Sequence, residues 1–219
     1  MSAGGYRDIV TDGLVFQVDA ANNLCGNVTD AKNIVNPTES GSFENGLTVN
    51  DNSYSFDGVN DYIDVGGSIS NTFTTDVTFD VWINLNSGVT QYILHKRPLS
   101  GNPDINFPFI NGSNDFVFLV TSGTTLRTTS PITNNTWYNV TITIQGTNHE
   151  MYLNGVSEDS TTTGGSFNPD VTKNLYIGRA TPPDQFFSNS NISSVKIYNR
   201  ALTQAEITQN YNTQKYRFI

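Results

Sequence analysis

Asn191-Ile-Ser-Ser-Val-Lys-Ile-Tyr-Asn-Arg-Ala-Leu-Thr-Gln-Ala-Glu-Ile-Thr-Gln-Asn-Tyr211 reads as a strand that runs straight into a capped helix. Val195 and Ile197 alternate with Lys196 and Tyr198, the two-residue period of a half-buried strand. Asn199-Arg200 break that alternation. Thr203 and Glu206 then stand at capping-box spacing, where each side chain can satisfy an orphan backbone N–H of the first helical turn. Leu202 and Ile207 sit where a hydrophobic staple packs, so the helix is predicted to dock through Ile207 and, one turn on, Tyr211.

Working outward, the rest of the chain reads as strands. Leu14-Val-Phe-Gln-Val-Asp19 is the first. Tyr54-Ser-Phe56 and Tyr62-Ile-Asp-Val65 flank Asp57-Gly58 as a hairpin-like pair. Thr75 to Leu85 is the clearest strand. Val77, Phe79, Val81, Ile83 and Leu85 share one face, and Thr78, Asp80, Trp82 and Asn84 share the other. Gln91 to Lys96 continues a sheet, and Phe116 to Val120 pairs with Thr124 to Thr128 around Ser122-Gly123. Tyr138, Val140, Ile142 and Ile144 alternate with Asn139, Thr141, Thr143 and Gln145. Asn154-Gly155 is the strongest short hairpin signal, because a type I′ turn needs φ > 0 at both positions. Leu175-Tyr-Ile-Gly178 is a late strand. Residues 20–45 are read as a long loop with room for one short strand, and 97–106 and 160–170 as loops, from their Asn, Gly, Pro and Thr content. No repeat and no linker divides the chain. The reading is one domain over 13–214, helix included, with a Gly-rich arm at 1–12 and a tail at 215–219.

Several of these segments, in order, resemble laminin-G-like jelly-roll domains of the concanavalin A-like lectin/glucanase superfamily. Ser55-Phe-Asp-Gly-Val-Asn-Asp-Tyr-Ile63 resembles their Phe-Asp-Gly-x-x-Asp-Tyr segment, and Thr78-Phe-Asp-Val-Trp-Ile83 their central strand. Thr136-Trp-Tyr-Asn-Val-Thr-Ile142, followed by Met151-Tyr-Leu-Asn-Gly-Val156, resembles their Trp-Tyr hairpin, and the strand–helix ending resembles theirs. The implied fold is all-β: a two-sheet antiparallel jelly-roll β-sandwich with a short C-terminal helix. Function stays open, since this sandwich carries lectins, glycosidases, adhesion modules and virion proteins alike.

Composition narrows the classes. A chain of 219 residues can be one sandwich, burying roughly 70% of its unfolded surface. Only 14% of residues are charged, and the formal net charge is −9, which excludes nucleic acid as a partner because phosphate binding needs a basic patch. Cys25 is the lone cysteine, so no intrachain disulfide forms, and it is read as a small apolar residue. Met1-Ser-Ala-Gly-Gly-Tyr-Arg-Asp8 has no apolar core of a signal peptide, and no apolar run is long enough to span a bilayer. The expectation is a soluble protein that folds in a cytoplasm.

A retaining sandwich glycosidase needs two carboxyl groups ~5 Å apart on one face. The central strand offers Asp80 alone, and Glu150 and Glu158 flank the Asn154-Gly155 turn as solvated surface. His95 and His149 lie in separate strands with no Ser or Cys elbow and are read as surface or structural residues. The chain is therefore read as no enzyme. The candidate glycan face is Asp80, Trp82 and Asn84 together with Trp137, Asn139 and Thr141, where rings could stack on a sugar and amides and hydroxyls bond to it. The competing reading packs those tryptophans under a covering segment. Asp57, Asn60 and Asp61 could offer oxygens to a structural calcium, though local side-chain-to-backbone bonds that fix the turn explain them more simply. The resemblance implies a calcium site with an acid just before the final strand, where this chain has Ser193-Ser194. No other cofactor is implied.

The opening Asp12-Gly-Leu-Val-Phe-Gln-Val-Asp-Ala-Ala21 and the ending most resemble compact laminin-G-like proteins of tailed bacteriophages, some decorating heads and others forming fibres or tail appendages. That implies a virion structural protein, located in the virion. Its partners would be capsid or tail subunits, with host-surface glycans as adhesion targets and no membrane. Attachment would use the arm 1–12, the tail 215–219 and the rim loops, with both ends dispensable for folding. The runner-up is a carbohydrate-binding lectin module of a bacterial surface or secreted protein.

Overall fold

The computed structural model describes residues 8–22, 29–50, 52–96, 105–110, 114–119, 125–163, 167, 170, 172–180 and 185–218. Cys25, the Ser122-Gly123 turn and the prolines at 98, 103, 182 and 183 lie outside them.

Two antiparallel sheets face each other across one apolar core. The first contains β1 (Leu14–Asp19), β4 (Thr48–Asn50), β5 (Ser53–Asp57), β7 (Asp76–Leu85), β12 (Trp137–Gln145), β13 (Asn148–Leu153), β14 (Val156–Thr162) and β16 (Asn189–Tyr198). Its order is β14-β13-β12-β7-β16-β5-β4, with β1 also beside β16. The second contains β2 (Asp30–Ala31), β3 (Gly41–Glu44), β6 (Tyr62–Gly66), β8 (Gln91–Lys96), β9 (Ile105–Ile110), β10 (Asp115–Leu119), β11 (Thr125–Arg127) and β15 (Leu175–Ile177), in the order β11-β10-β9-β8-β15-β6-β3-β2.

Alternation sets the core. Val77, Phe79, Val81, Ile83 and Leu85 of β7 point inward in phase with Val140, Ile142 and Ile144 of β12. Strand β16 needs a correction of phase, because Ile192 and Val195 are three residues apart. A register shift between Ile192 and Ser194 supplies it, so Val195 and Ile197 also face the core while Ser194, Lys196 and Tyr198 face outward. The second sheet contributes Ile63, Phe107, Phe116, Phe118, Leu126 and Ile177, among others.

The Asn154-Gly155 turn forms as predicted, with φ of 53° and 79°. The final helix, α1 (Gln204–Gln214), begins at Thr203 with both capping-box bonds present. Leu202 and Ile207 bury beside Tyr152 and Tyr198, as the staple spacing predicts.

Four expectations are corrected. The stretch 20–45 holds two short paired strands, β2 and β3, at the edge of the second sheet. Strands β5 and β6 do not pair as a hairpin. β5 bonds to β4 and β16, whereas β6 bonds to β3 and β15, so the turn between them carries the chain from one sheet to the other. Phe56 and Ile63 thereby enter the same core from opposite sides. The loop read over 97–106 gives way to β9 at Ile105; Pro108 within that strand lies next to a register shift in the β8 pairing, where proline is tolerated. The loop read over 160–170 starts later, because β14 continues to Thr162.

Candidate functional site

The predicted glycan face lies on the outer side of the first sheet, where β7, β12 and β16 sit side by side. Register brings its members together: Asn139 opposes Trp82, Thr141 opposes Asp80, and Trp137 opposes Asn84. The face is not an open platform. Trp82 is only 2% exposed, and Asp80, Asn139 and Thr141 are fully buried. Helix α1 and the residues after it cover them. Tyr211 stacks on Trp82 at 5.7 Å, and Phe218 stacks on its indole at 4.2 Å. Phe218 also meets Trp137, at 4.7 Å. Asn84 and Trp137, at the rim, remain partly exposed.

Beneath this aromatic stack is a polar core. Lys196 Nζ meets Asp80 Oδ1 at 2.9 Å, with both side chains wholly buried. Asp80 also accepts from Asn139 Nδ2 and Thr141 Oγ1, each at 3.3 Å. Gln214 Oε1 accepts from Lys196 Nζ at 2.6 Å and from Trp82 Nε1 at 3.1 Å. Asp80, Asn139, Thr141 and the Trp82 N–H are thus satisfied internally, as a buried charge pair requires, whereas Asn84 Oδ1 at the rim is buried without a partner. The covering-segment reading of Trp82 is the one the geometry gives.

The ends of the chain belong to this cover. Arg217 forms two 2.8 Å bonds to the Asp19 carboxylate and a third to Ser193 Oγ. Val10 N–H donates to Asn210 Oδ1, and Tyr198 OH donates to Val10 O. The described parts of the arm and tail are thus packed against the sandwich.

The acidic turn holds itself together. Asp57 Oδ1 accepts from the N–H groups of Val59 and Asn60, and Asp61 Oδ2 accepts from Asp57 N–H. Slight burial opposes the charge on Asp57, but these backbone donors outweigh it and hold the carboxyl below its ordinary range. Burial, then the Asp57 charge, push Asp61 the other way. These bonds are the local turn chemistry of Asx residues. Among the described residues, no three His, Cys, Asp or Glu side chains converge as metal donors.

An open site lies further along the same sheet face, beside the start of the helix. There a groove of about 780 Å³ runs over β12, β13 and β14. Its floor is formed by Thr143, Gln145, Glu150, Tyr152 and Ser160, and Asn148 and Thr162 stand at one end. Its wall is the helix start, Ala201 to Gln204. Arg200 pins that wall through two bonds to Glu206, at 2.6 and 3.0 Å. Gln204 Nε2 donates to Gly155 O at 2.8 Å, tying the wall to the β13–β14 turn. Gly155 suits this turn, since its φ of 79° is strained for an L side chain and a Cβ there would press on Tyr211 at 3.2 Å.

The groove chemistry is hydroxyl and amide. Glu150 accepts from Ser157 Oγ at 2.5 Å and also bonds the Tyr152 phenol. Burial first, and Glu150 second, push the Tyr152 pKa well above its ordinary value, so it remains a neutral donor. Asn148 Oδ1 accepts from Thr162 Oγ1 at 3.0 Å, leaving its amide N–H groups facing solvent. Gln145 and Ser160 are exposed, and their side chains make no hydrogen bond within the described residues. His149 pairs with Ile144, whose side chain is in the core, so strand alternation places it on the inward side. It is 2% exposed, neither ring nitrogen has a partner, and burial pushes its pKa down.

Sequence reasoning followed the outward face of β12 through Thr141, the half that lies under the helix, while the open groove lies over the other half from Thr143 on. Which half the helix covers depends on Gln214 reaching Lys196, a contact across 18 residues that no local pattern encodes. Glu150 was set aside as surface, yet pairing with Thr143 and Ser160 puts it in the groove floor.

The laminin-G type 3 profile, described as the Concanavalin A-like lectin/glucanases superfamily, matches residues 57–208, well over half the chain. The chain belongs to that superfamily. Among solved structures it is similar to Trypanosoma rangeli sialidase, with 17% identity and a TM-score of 0.76 over 100% of this chain and 35% of that one. A mutant of a protein designated HCR/D is similar at 13% identity and TM-score 0.64, covering 93% of this chain and 53% of that one. NanB bound to Optactamide is similar at 12% identity and TM-score 0.60, over 71% and 26%. These likenesses establish the fold alone. The chain spans about a third of the length of the sialidase it matches. Comparison with curated proteins gave no match.

Proposed function

We propose that this chain is a non-enzymatic carbohydrate-recognition module whose ligand lies in the groove between α1 and strands β12 to β14. The observation that carries the reading is a concave site walled by a pinned helix start, with Gln145, Asn148 and Ser160 offering uncommitted hydrogen-bonding groups. Sugars are bound by such hydroxyl and amide arrays. Membership of a lectin/glucanase superfamily supports the same class. Glycoside hydrolysis needs a pair of carboxyl groups. Among the described lining residues Glu150 is the one carboxylate, and Asp80 is committed to Lys196 under the helix.

The setting proposed for this activity is a virion, the module being attached to capsid or tail subunits and directed at host-surface glycans. That part rests on the likeness of Asp12 to Ala21 and of the strand–helix ending to tailed-bacteriophage proteins. Finding the chain by mass spectrometry in purified particles would support it, and its absence there would favour a bacterial lectin module.

The test of recognition is affinity electrophoresis of the folded protein through gels carrying individual polysaccharides, alongside a Gln145→Ala/Ser160→Ala variant. Retardation that the double variant loses supports the reading. Retardation that it keeps moves the ligand elsewhere, and release of reducing sugar from any of these polysaccharides would overturn the non-enzymatic assignment.

A further inference from the structure

We infer that the groove selects uncharged glycans and rejects carboxylated and sulfated ones, with Glu150 both accepting sugar hydroxyls and repelling anions. The inference rests on the recognition reading above and names the class of ligand for the same site. Its basis is the charge of the lining. Thr143, Gln145, Asn148, Ser160 and Thr162 are neutral, and Glu150 is the one formal charge among the described lining residues. No Lys or Arg is among those described lining residues. Recognition of a sugar carboxylate or sulfate uses Arg or Lys, or a helix N-terminus with free N–H groups.

The helix start beside the groove already holds an anion of its own. The Glu206 carboxylate accepts from Thr203 N–H at 2.8 Å, while Glu206 N–H goes to Thr203 Oγ1. Arg200, the nearest cation on the wall, spends its guanidinium on Glu206, Asp12 and Ala201 O. An anion entering the groove would therefore give up its hydration, find no cation and face Glu150 at short range. The formal net charge of −9 adds a long-range field of the same sign. A neutral sugar meets none of these costs. Two neighbouring sugar hydroxyls can donate to a carboxylate, a charge-assisted bond stronger than a neutral one, while Gln145, Asn148 and Ser160 can serve the remaining hydroxyls and ring oxygen. Discrimination by a built-in repulsive group is an ordinary route to specificity.

Two variants test this. The wild type, Glu150→Gln and Gln145→Lys are compared on a neutral panel (laminarin, dextran, galactomannan) and an acidic one (polygalacturonate, alginate, heparin). Circular dichroism melts confirm that each protein is folded. The expected result is wild-type binding to a neutral polysaccharide and none to the acidic panel at low salt. Glu150→Gln should narrow the neutral-to-acidic preference by about tenfold, the scale of one close charge in a partly solvated site. Gln145→Lys, at an exposed position, should narrow it further even if Glu150→Gln fails to fold. Wild-type binding to acidic polysaccharides at least as tight as to neutral ones overturns the inference and leaves carbohydrate recognition standing. Unchanged preference in both variants also overturns it. Failure to bind either panel removes the recognition reading, and this inference with it.

Discussion

Phe218 stacks on Trp82 with ring centroids 4.2 Å apart and planes 20° from parallel, so the end of the chain closes over the centre of a sheet. The stack also seals the buried Lys196–Asp80 pair from water. Phe218→Ala should destabilise the protein by about 2 kcal/mol, the scale of exposing one large apolar side chain. Deleting residues 215–219 should cost more, because the Arg217–Asp19 bonds go with it. Urea denaturation measures both. A truncated chain as stable as the parent would mean that the tail is the free appendage its sequence suggests.

Much of this fold is written in local pattern. The alternation in Thr75 to Leu85, the Asn154-Gly155 turn and the Thr203–Glu206 box each specify structure from neighbouring residues alone. What local pattern leaves out is pairing. Nothing near Asp57-Gly58 says that Ser53–Asp57 will join β16 while Tyr62–Gly66 joins β15. The same limit applies to the site. The polar face of β12 is legible, but its division into a sealed half and an open half is set by where α1 lies, which long-range contacts decide.

The buried pair should reveal itself through asymmetry. Lys196→Met alone leaves Asp80 charged and unpaired in a water-excluded site, with an expected cost of about 3 kcal/mol or more. The double change Lys196→Met/Asp80→Leu removes both charges and should recover much of that loss. A double-mutant cycle by chemical denaturation gives the coupling. Simple additivity would mean that water reaches the pair.

The helix start has its own signature. Thr203→Ala removes one cap bond and should cost ~1 kcal/mol. Hydrogen bonding from Arg200, opposed by some burial and helped by Thr203, lowers the Glu206 pKa from 4.5 to about 2. The folded state therefore binds this proton less readily than the unfolded chain. Its contribution is complete above pH 4.5 and is lost as pH falls towards 2. Glu206→Gln should flatten stability over that interval, as read from denaturation midpoints at successive pH values.

His149 acts in a higher window. Burial without a hydrogen-bond partner lowers its pKa below the ordinary 6.5. The unfolded chain then takes up a proton first, so stability is full above 6.5 and declines as pH falls below that value. His149→Leu should remove this decline and leave the Glu206 interval untouched. A parent whose stability is level from neutral pH down to 4.5 would show that the folded histidine finds a partner once protonated.

The two candidate faces make opposite demands, and one pair of substitutions separates them. Trp82 lies under Phe218 and Tyr211, so Trp82→Ala opens a large cavity and should cost about 3 kcal/mol. It is not among the groove-lining residues. At a temperature where the variant is still folded, its affinity for the retained polysaccharide should match the parent's. Ser160 is exposed on β14, and Ser160→Trp places an indole in the groove without disturbing any internal hydrogen bond. Stability should stay within ~0.5 kcal/mol of the parent, as for ordinary surface changes, while binding is lost to steric occlusion. Loss of binding in Trp82→Ala at full folding, with Ser160→Trp unaffected, would return the ligand to the tryptophan face. That outcome would require α1 to move aside in solution, breaking the Gln214 bonds to Trp82 and Lys196. Hydrogen exchange of the α1 amides, slow in the geometry described and fast if the helix lifts, decides between the two independently of any ligand.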